Sequence, residues 1–433
     1  MKKENVEHIK NLAEEGNAEA QFQLGEYYWE QRSEAETEED EDKVSAECLK
    51  WYTKAAEQGH AVAQRYLGEF HETGICAEED DKEALKWYRL AAVQGDITAQ
   101  YRLADLLMEG GEDWDADEDE AVKWFKTAAE LGDAESQNRL GEYYLEEEDD
   151  EEALKWFRLA AEQGDVDSQF RLGEYYFWSD DPDDGDSAFY LECAAKQGHT
   201  EAQYLLGESY YYGIGFDTDE QQAFDWYKKA ADKEHPGAEY MVGKLYEEYA
   251  KDNDSDIKEA VKWFKKAAKH GYAHAQCKMG MLYQEGVGVE KNAEKAFRCF
   301  TLAAKQDEEE AQFQLGKCYF TGSGVETDNA AAKKWFEKAA KQEHREAQFT
   351  LAMMYFYGKG VPEDGKKAVK WLTCGAKAGE KASQYYLGQC YELGIGVERN
   401  LEKAADWYIR SAKQGYAKAR KKLNLGPDDI IAD

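Results

Sequence analysis

Residues 382–415 read ASQYYLGQCYELGIGVERNLEKAADWYIRSAKQG, and this stretch decides the fold. Four of its residues fall at i, i+3, i+4 and i+7, the spacing of one face of an α-helix: Gln384, Leu387, Gly388 and Tyr391. After a turn at residues 394–397, a second helically spaced set ends at a glycine, a common helix terminator: Ala404, Trp407, Ala412 and Gly415. The unit is therefore a helix A, a glycine turn and a helix B.

Small and bulky residues indicate how these two helices should pack. We expect Gly388 to lie where only a hydrogen atom fits between helices A and B, and Trp407 to fill the space beside it. Gly394 and Gly396 are predicted to adopt the left-handed backbone conformation of a turn. They do not follow a strand or complete G-x-G-x-x-G, so a phosphate-binding loop is rejected.

The unit recurs along the whole chain. The small residue of helix A appears at Gly25, Gly68, Ala104, Gly141, Gly173, Gly207, Gly243, Gly280, Gly316, Ala352 and Gly388. The bulky residue of helix B appears at Trp51, Trp87, Trp124, Trp156, Tyr190, Trp226, Trp263, Cys299, Trp335, Trp371 and Trp407. We therefore predict one all-α domain over residues 1–433, with a half-repeat cap over 1–16, eleven repeats over 17–415, and a half-repeat cap and tail over 416–433.

The 36-residue unit resembles the Sel-1-like repeat, a relative of the tetratricopeptide repeat. The resemblance rests on A-x-x-Q-x-x-L-G-x-x-Y in helix A, G-x-G-V in the turn and K-A-x-x-W-y-x-x-A-A-x-x-G in helix B, and it covers nearly the whole chain. It implies a right-handed α-solenoid of A–B helix pairs that serves as an adaptor or scaffold for protein partners. It also favours a bacterial source. Departures such as Cys299 in place of tryptophan concern local geometry only.

Charge is distributed very unevenly along the chain. The formal net charge is −37, and Lys plus Arg minus Asp plus Glu over residues 1–210 gives the whole of it, so residues 211–433 sum to zero. We therefore distinguish an acidic half, 1–210, from a charge-neutral half, 211–433. This excess of negative charge argues against direct binding of nucleic acid, whereas a basic protein partner fits it.

Three features favour a cytoplasmic protein without membrane contact. No apolar run approaches the roughly 18 residues of a membrane span. The first three residues, MKK, are followed at once by acidic residues instead of the apolar core of an export signal. The eight cysteines are scattered and form no C-x-x-C pair, which predicts free, mostly buried thiols and no structural disulfide.

No combination of residues points to catalysis, a cofactor or a metal ion. Four histidines recur just after helix B and mark a repeat position: His60, His199, His235 and His344. His270 and His274 straddle Gly271, so they are not expected to bind one metal ion. The S-x-x-K at residues 255–258 has no K-T-G in the chain and no evident base or oxyanion hole. We predict that the protein is not an enzyme.

The surface of helix A offers a candidate binding site. With Gln384 at position 4 and Gly388 at position 8, positions 5, 9 and 12 form a second face, which in the related tetratricopeptide fold lines the concave groove. Position 5 is aromatic in eight repeats, and our candidate contacts are Phe22, Tyr101, Phe170, Tyr204 and Tyr240. These rings serve either to pack successive A helices or to grip a partner helix.

Position 9 changes character halfway along the chain. It is acidic in the first six repeats, and we call these residues the acidic ladder: Glu26, Glu69, Asp105, Glu142, Glu174 and Glu208. They are either ordinary exposed helix residues, paired with Arg102, Arg139 and Arg171 three residues earlier, or a row that attracts a basic partner. Glu26, Glu69 and Glu208 have no basic neighbour at that offset.

Two functional hypotheses follow from this surface. The first is a monomeric scaffold or adaptor that binds a partner protein or peptide in its groove, with a basic partner on the acidic half. The alternative is an inhibitor or immunity protein that neutralises a basic toxin or enzyme by charge mimicry, with nucleic-acid-acting enzymes as one such target. A steep salt dependence of binding would favour the charge mimic.

Overall fold

A computed structural model describes residues 3–35, 37–111, 114–179, 185–250 and 254–426. Residues 1, 2 and 427–433, which belong to the predicted caps and tail, lie outside the described residues. The described residues form 24 α-helices and no strand, only an isolated β-bridge between Gly111 and Trp114. The predicted all-α fold is therefore confirmed. The helices group into two compact units, Met1–Thr218 and Asp219–Asp433, and we describe each by itself.

The N-terminal unit contains a single helix, five A–B pairs and one further A helix. Its helices are α1 Lys3–Glu14, α2 Ala18–Arg32, α3 Glu38–Glu57, α4 Ala61–Thr73, α5 Asp81–Val93, α6 Ile97–Glu109, α7 Glu118–Glu130, α8 Ala134–Glu146, α9 Asp150–Glu162, α10 Val166–Phe177, α11 Gly185–Lys196 and α12 Thr200–Tyr212. From α2 onward the even-numbered helices are A helices and the odd-numbered ones are B helices. The predicted N-terminal half-repeat corresponds to α1.

The C-terminal unit begins with a B helix, continues with five A–B pairs and ends with a short A helix. Its helices are α13 Glu220–Asp232, α14 Pro236–Tyr249, α15 Asp254–Lys269, α16 Ala273–Glu285, α17 Ala293–Lys305, α18 Glu309–Thr321, α19 Asn329–Lys341, α20 Arg345–Tyr357, α21 Gly365–Lys377, α22 Lys381–Leu393, α23 Leu401–Lys413 and α24 Ala417–Lys422. The predicted C-terminal half-repeat corresponds to α24.

Paired glycine turns join helix A to helix B after α12, α16, α18, α20 and α22, as the sequence predicts. Gly394 ends α22 with φ 74°, and Gly396 follows with φ 70°. A Cβ on Gly396 would lie 2.1 Å from the backbone of Gly365, so only glycine fits at this close approach. Asn400 then caps α23 by accepting a hydrogen bond from the backbone N–H of Lys403.

The prediction for the helix-A glycine is correct, but the residue that fills the space beside it is not the tryptophan. A Cβ on Gly388 would lie 2.8 Å from the ring of Tyr408, the residue after Trp407. Gly316 faces Phe336 in the same way, at 2.6 Å. Adjacent helix residues point about 100° apart, so only one of the two aromatic residues can face helix A.

The tryptophans instead pack against the preceding repeat. Trp407 packs against the cluster that contains Leu372 of α21, and Trp371 packs against the cluster that contains Phe336 of α19. Tyr408 and its equivalents therefore pack between a helix A and its own helix B, whereas these tryptophans pack against clusters that include residues of the preceding B helix. The sequence pattern contains both aromatic positions, but spacing alone did not assign their directions.

A buried glutamine at position 4 connects three helices in most repeats. Its side-chain N–H donates to an alanine carbonyl oxygen of the preceding B helix, at 2.9–3.2 Å, from Gln21, Gln64, Gln100, Gln137, Gln169, Gln203, Gln276, Gln348 and Gln384. Its side-chain oxygen accepts from a glutamine at the end of its own B helix, as in the 2.9 Å bond from Gln414 to Gln384. We call this arrangement the glutamine bridge. It supplies hydrogen-bond partners to the side-chain amide that is buried inside the repeat.

The repeats of Gln203 and Gln312 make only part of the glutamine bridge, and two further repeats depart from it. Leu131 occupies the donor position at the end of α7, and the buried side-chain oxygen of Gln100 consequently has no hydrogen-bond partner among the described residues. In the other, Glu239 and His270 replace both glutamines, and the His270 ring nitrogen lies 2.8 Å from the Glu239 carboxylate. The bridge is thus a preference of the repeat that individual repeats modify.

We expect Phe336→Ala to lower the free energy of unfolding by about 3–5 kcal/mol, because it removes a fully buried ring and leaves a cavity beside Gly316. Urea unfolding followed by circular dichroism measures the change. Phe189→Ala is the matched control, because that ring is 59% exposed and its loss should cost little. Equal losses from the two substitutions would contradict our assignment of the repeat core.

We expect Leu131→Gln to stabilise the protein by about 0.5–1.5 kcal/mol, because it supplies the missing donor to the buried oxygen of Gln100. Thermal unfolding of the wild type and the variant tests this. Val93→Gln is the control, since Val93 is also exposed but its neighbour Gln94 already donates to Gln64. A gain from both substitutions would show only that removing an exposed apolar side chain helps.

Candidate functional site

The position-5 side chains contact the residue that caps the next A helix. Phe22 stacks on His60 with ring centroids 4.5 Å apart, and Phe170 stacks on His199 at 4.2 Å. Where position 5 is Arg65, its partner is Asp96, 3.5 Å away. The chemistry of the pair changes from repeat to repeat, but the contact persists. This geometry agrees with the packing interpretation of position 5.

The remaining predicted rings are also partly covered. The ring centroid of Tyr101 lies 5.9 Å from that of Phe125. Tyr240 packs on Phe264 at 5.6 Å, while Tyr204 on α12 is half-buried. Burial raises the pKa of the Tyr101 and Tyr240 hydroxyls. A partner could therefore reach only the exposed edges of these rings.

The middle of the acidic ladder is an ion-pair chain that runs from one A helix to the next. Arg139 lies 2.7 Å from Asp105 on α6 and 3.6 Å from Glu142 on its own helix α8. Arg171 on α10 in turn lies 3.7 Å from Glu142 and 3.4 Å from Glu174. Each arginine is thus shared by two carboxylates, which reduces the negative field at the centre of the ladder.

The other ladder residues differ from one another. Glu69 pairs with Arg65, four residues earlier on α4, at 2.6 Å. Glu26 has no ion pair among the residues that the structure describes, and burial, together with the charges of Glu30 and Glu19, raises its pKa. Glu208 lies half-buried on α12.

Sequence reasoning missed the arginine pairs that cross between repeats. It compared each ladder residue only with the position three residues earlier, so it overlooked Arg65, four residues before Glu69, and the bond from Arg139 to Asp105. The missed signal is an arginine at position 6 of three successive A helices, Arg102, Arg139 and Arg171. Stacked helices bring such residues next to the carboxylates of the preceding repeat.

Two clefts open along the ladder. The larger, about 540 Å³, lies between α8, α9 and α10 and contains Arg171 and Glu174 together with Phe157, Tyr175 and Trp178. Trp178 is 72% exposed. The smaller cleft, about 130 Å³, contains Asp105, Arg139 and Glu142. The larger cleft combines carboxylates with an exposed aromatic surface, so we call it the ladder cleft.

A second group of carboxylates lies outside the ladder, in the first turns of B helices. We call this surface the acidic turn edge, formed by Glu38, Glu39, Asp40 and Glu41 of α3, Asp81 and Glu83 of α5, Glu118, Asp119 and Glu120 of α7, and Asp150, Glu151 and Glu152 of α9. The first turns of α13, α17, α19, α21 and α23 carry one acid or none. Acids at a helix N-terminus also favour helix formation.

The recurring histidines cap A helices. In α4, α12, α14 and α20 the Nδ1 atom accepts a hydrogen bond from a backbone N–H, and the four caps are His60, His199, His235 and His344. The described part of the chain contains no group of three or more His, Cys, Asp or Glu side chains that could hold a metal ion. Among the same residues, none of the helices combines the length and the apolar composition needed to cross a membrane.

Comparison with protein families identifies the repeat. The model of the Sel1 repeat matches eleven consecutive segments, residues 18–60, 61–96, 97–133, 134–165, 166–199, 200–235, 236–272, 273–308, 309–344, 345–380 and 381–416. The segments agree with the predicted family and with the predicted number of repeats. No curated protein matched the chain.

Solved structures show the same fold. A protective antigen with an SLR fold, from uropathogenic Escherichia coli, is 33% identical, with a TM-score of 0.82 over 96% of this chain and 91% of that chain. A Sel1 repeat protein from Oxalobacter formigenes is 31% identical, with a TM-score of 0.55 over 74% and 93% of the two chains. An immunity protein from Pseudomonas aeruginosa is 21% identical over 43% and 74%, and its TM-score of 0.30 carries no argument about function.

The pair between His344 and Glu310 gives a pH-dependent expectation. The hydrogen bond with His344, at 2.8 Å, lowers the pKa of Glu310, so the ionised carboxylate stabilises the folded state above the usual glutamate range. Glu310→Gln should therefore reduce stability at pH 7, and the difference from wild type should shrink as the pH falls through that range. Unfolding in urea between pH 3 and pH 7 measures it. Glu346→Gln, at an exposed position beside the same histidine, should show no such trend.

Proposed function

Because the chain belongs to the Sel1 repeat family, whose repeats generally mediate protein–protein interaction, we propose that it is a scaffold or adaptor for a basic partner. The partner, a basic protein or a basic segment of one, would bind the N-terminal unit along the A-helix face. We place this activity in the bacterial cytoplasm, in keeping with eight scattered cysteines that form no C-x-x-C pair.

Charge supports the choice of partner. The entire net charge of −37 comes from residues 1–210, which lie within the N-terminal unit. Such a field raises the association rate of a basic protein, and salt weakens the effect. The acidic turn edge supplies much of this field, because several of its carboxylates, such as Glu118 and Glu151, have no ion pair among the described residues.

The ladder cleft is the observation that carries the proposal. A lysine or arginine side chain could lay its aliphatic part on Trp178 and place its charge near Glu174 and Asp150, which line the same cleft. Attraction between a cation and the indole ring would add to this contact. The cleft therefore offers both apolar contact and charge to one kind of side chain.

The acidic ladder has a different part in this proposal from the acidic turn edge. Arg139 and Arg171 already form ion pairs with three of the ladder carboxylates. A basic partner would therefore have to displace these arginines from the carboxylates. Such exchange contributes to specificity more than to affinity, since one ion pair replaces another. The turn edge steers the encounter, and the ladder and its cleft select the bound orientation.

We expect neutralising the acidic turn edge to slow association with the partner and to flatten its salt dependence. The variant carries Glu38→Gln, Glu118→Gln, Asp119→Asn and Glu151→Gln, all at exposed positions. The partner is first retrieved by affinity capture from a bacterial lysate and purified. Surface plasmon resonance at 50–300 mM salt then compares the rates, and we expect an association roughly three- to tenfold slower at low salt.

The matched control removes the same number of charges from the turns of the C-terminal unit: Glu290→Gln, Glu326→Gln, Glu363→Gln and Glu398→Gln. It should keep the wild-type association rate. In the same assay, Trp178→Ala should speed dissociation. Identical rates for all variants would refute binding at the acidic unit. A partner that proves to be a nucleic-acid-acting enzyme inhibited by this chain would replace the scaffold role with that of an inhibitor.

A further inference from the structure

One glycine turn contains a cysteine where the others contain glycine. The turn between α4 and α5 reads Gly74-Ile75-Cys76, and Cys76 has φ 64°. The equivalent residues in five other turns are glycines with φ between 63° and 76°: Gly215, Gly288, Gly324, Gly360 and Gly396. A side chain is unfavourable in this left-handed conformation, so Cys76 is held there at a cost in free energy.

The turn position points Cys76 toward the preceding B helix. Gly288, its equivalent in another repeat, lies against Ile257 and Val261 of α15, which shows what this position contacts. Cys76 is half-buried and packs against the cluster that contains the fully buried Cys48 of α3. The interaction between the two thiols shifts the pKa of both. Two cysteines from successive repeats thus lie in one packed cluster.

The surroundings activate one thiol of the pair and not the other. Interaction with the Cys48 thiol lowers the pKa of Cys76, and Ser45 and the charge of Arg32 act in the same direction. The same interaction, together with burial, raises the pKa of Cys48. Arg32 keeps a buried Nε atom without a hydrogen-bond partner in the described part of the chain, although its other end pairs with Glu41 at 2.7 Å.

We propose that Cys76 and Cys48 form a peroxide-reactive thiol pair that closes reversibly to a disulfide between the second repeat's turn and the first repeat's B helix. The half-buried Cys76 is the attacking thiol and the buried Cys48 is the resolving thiol. The site does not depend on the partner proposed above, and it would act under an oxidative challenge to a protein whose cysteines are otherwise free.

The reaction takes place in two balanced steps. The Cys76 thiolate attacks one oxygen of a hydroperoxide, such as hydrogen peroxide; the O–O bond breaks, hydroxide leaves, and Cys76 becomes a sulfenic acid. The sulfur of Cys48 then attacks the sulfur of that sulfenic acid, the S–O bond breaks, and water leaves with the thiol proton. Two electrons pass from the two thiols to the peroxide. A cellular dithiol restores the pair by thiol–disulfide exchange.

Other cysteines provide an internal comparison. Burial raises the pKa of Cys318 to about 11 and that of Cys390 to about 12, which keeps them protonated and unreactive. Cys374 is exposed and has no cysteine partner in the structure, so it reports the reactivity of an accessible single thiol. A thiolate with a resolving neighbour should react faster than any of these three.

The test uses the full chain, fully reduced, with one equivalent of hydrogen peroxide at pH 7. Thiols are blocked after timed intervals, and peptide mass spectrometry locates the products. We expect a Cys48–Cys76 linked peptide, six remaining free thiols, and oxidation of Cys76 roughly tenfold faster than that of Cys374. Reduction with dithiothreitol should restore all eight thiols.

Two variants keep the result interpretable. Cys48→Ala should leave a sulfenic acid on Cys76 that dimedone traps, because the resolving thiol is gone. Cys76→Gly restores the common turn residue, so it should fold at least as well as wild type and abolish the linked peptide. The proposal is overturned if wild-type Cys76 goes directly to sulfinic acid, or if Cys374 reacts as fast as Cys76 and no linked peptide forms.

Discussion

A buried amide that joins three helices is the interaction on which the rest of the structure depends. Each glutamine bridge donates to the end of the preceding B helix and accepts from the end of its own, as Gln384 does with Ala376 and Gln414. A buried amide left unpaired would be costly, so the three helices must keep their mutual positions. Apolar packing, such as that of Gly388 against the ring of Tyr408, holds the helices together, while the amide sets the register.

Fixed register between repeats explains the character of the charged surface. Because successive A helices are held in place, a carboxylate at position 9 meets an arginine at position 6 of the next helix, as Asp105 meets Arg139. The middle of the acidic ladder is therefore an ion-pair network, whereas its other carboxylates do not belong to that network. Further carboxylates lie in the first turns of B helices, where they also stabilise the helix N-termini.

Periodicity in the sequence was sufficient to predict the fold, the number of repeats and the left-handed turn glycines, since each depends on local spacing. It was insufficient for side-chain direction. Trp407 and Tyr408 are adjacent and both apolar, and only the packed helices show which one faces Gly388. The site was predicted less completely for a related reason. Contacts such as Arg139 with Asp105 join residues 34 positions apart, and no single-helix pattern reveals them.

The contact between position 5 and the next N-cap has a consequence for how such a chain could evolve. Arg65 and its partner Asp96 both lie within one matched segment, residues 61–96, and the same holds for Asn138 and Asp165 within 134–165. A duplication or deletion with breakpoints just after the N-cap keeps every such pair together. A breakpoint one residue earlier would set the copied Arg65 against a copied His60. The heritable module of this chain therefore ends with the N-cap residue of the helix that follows it.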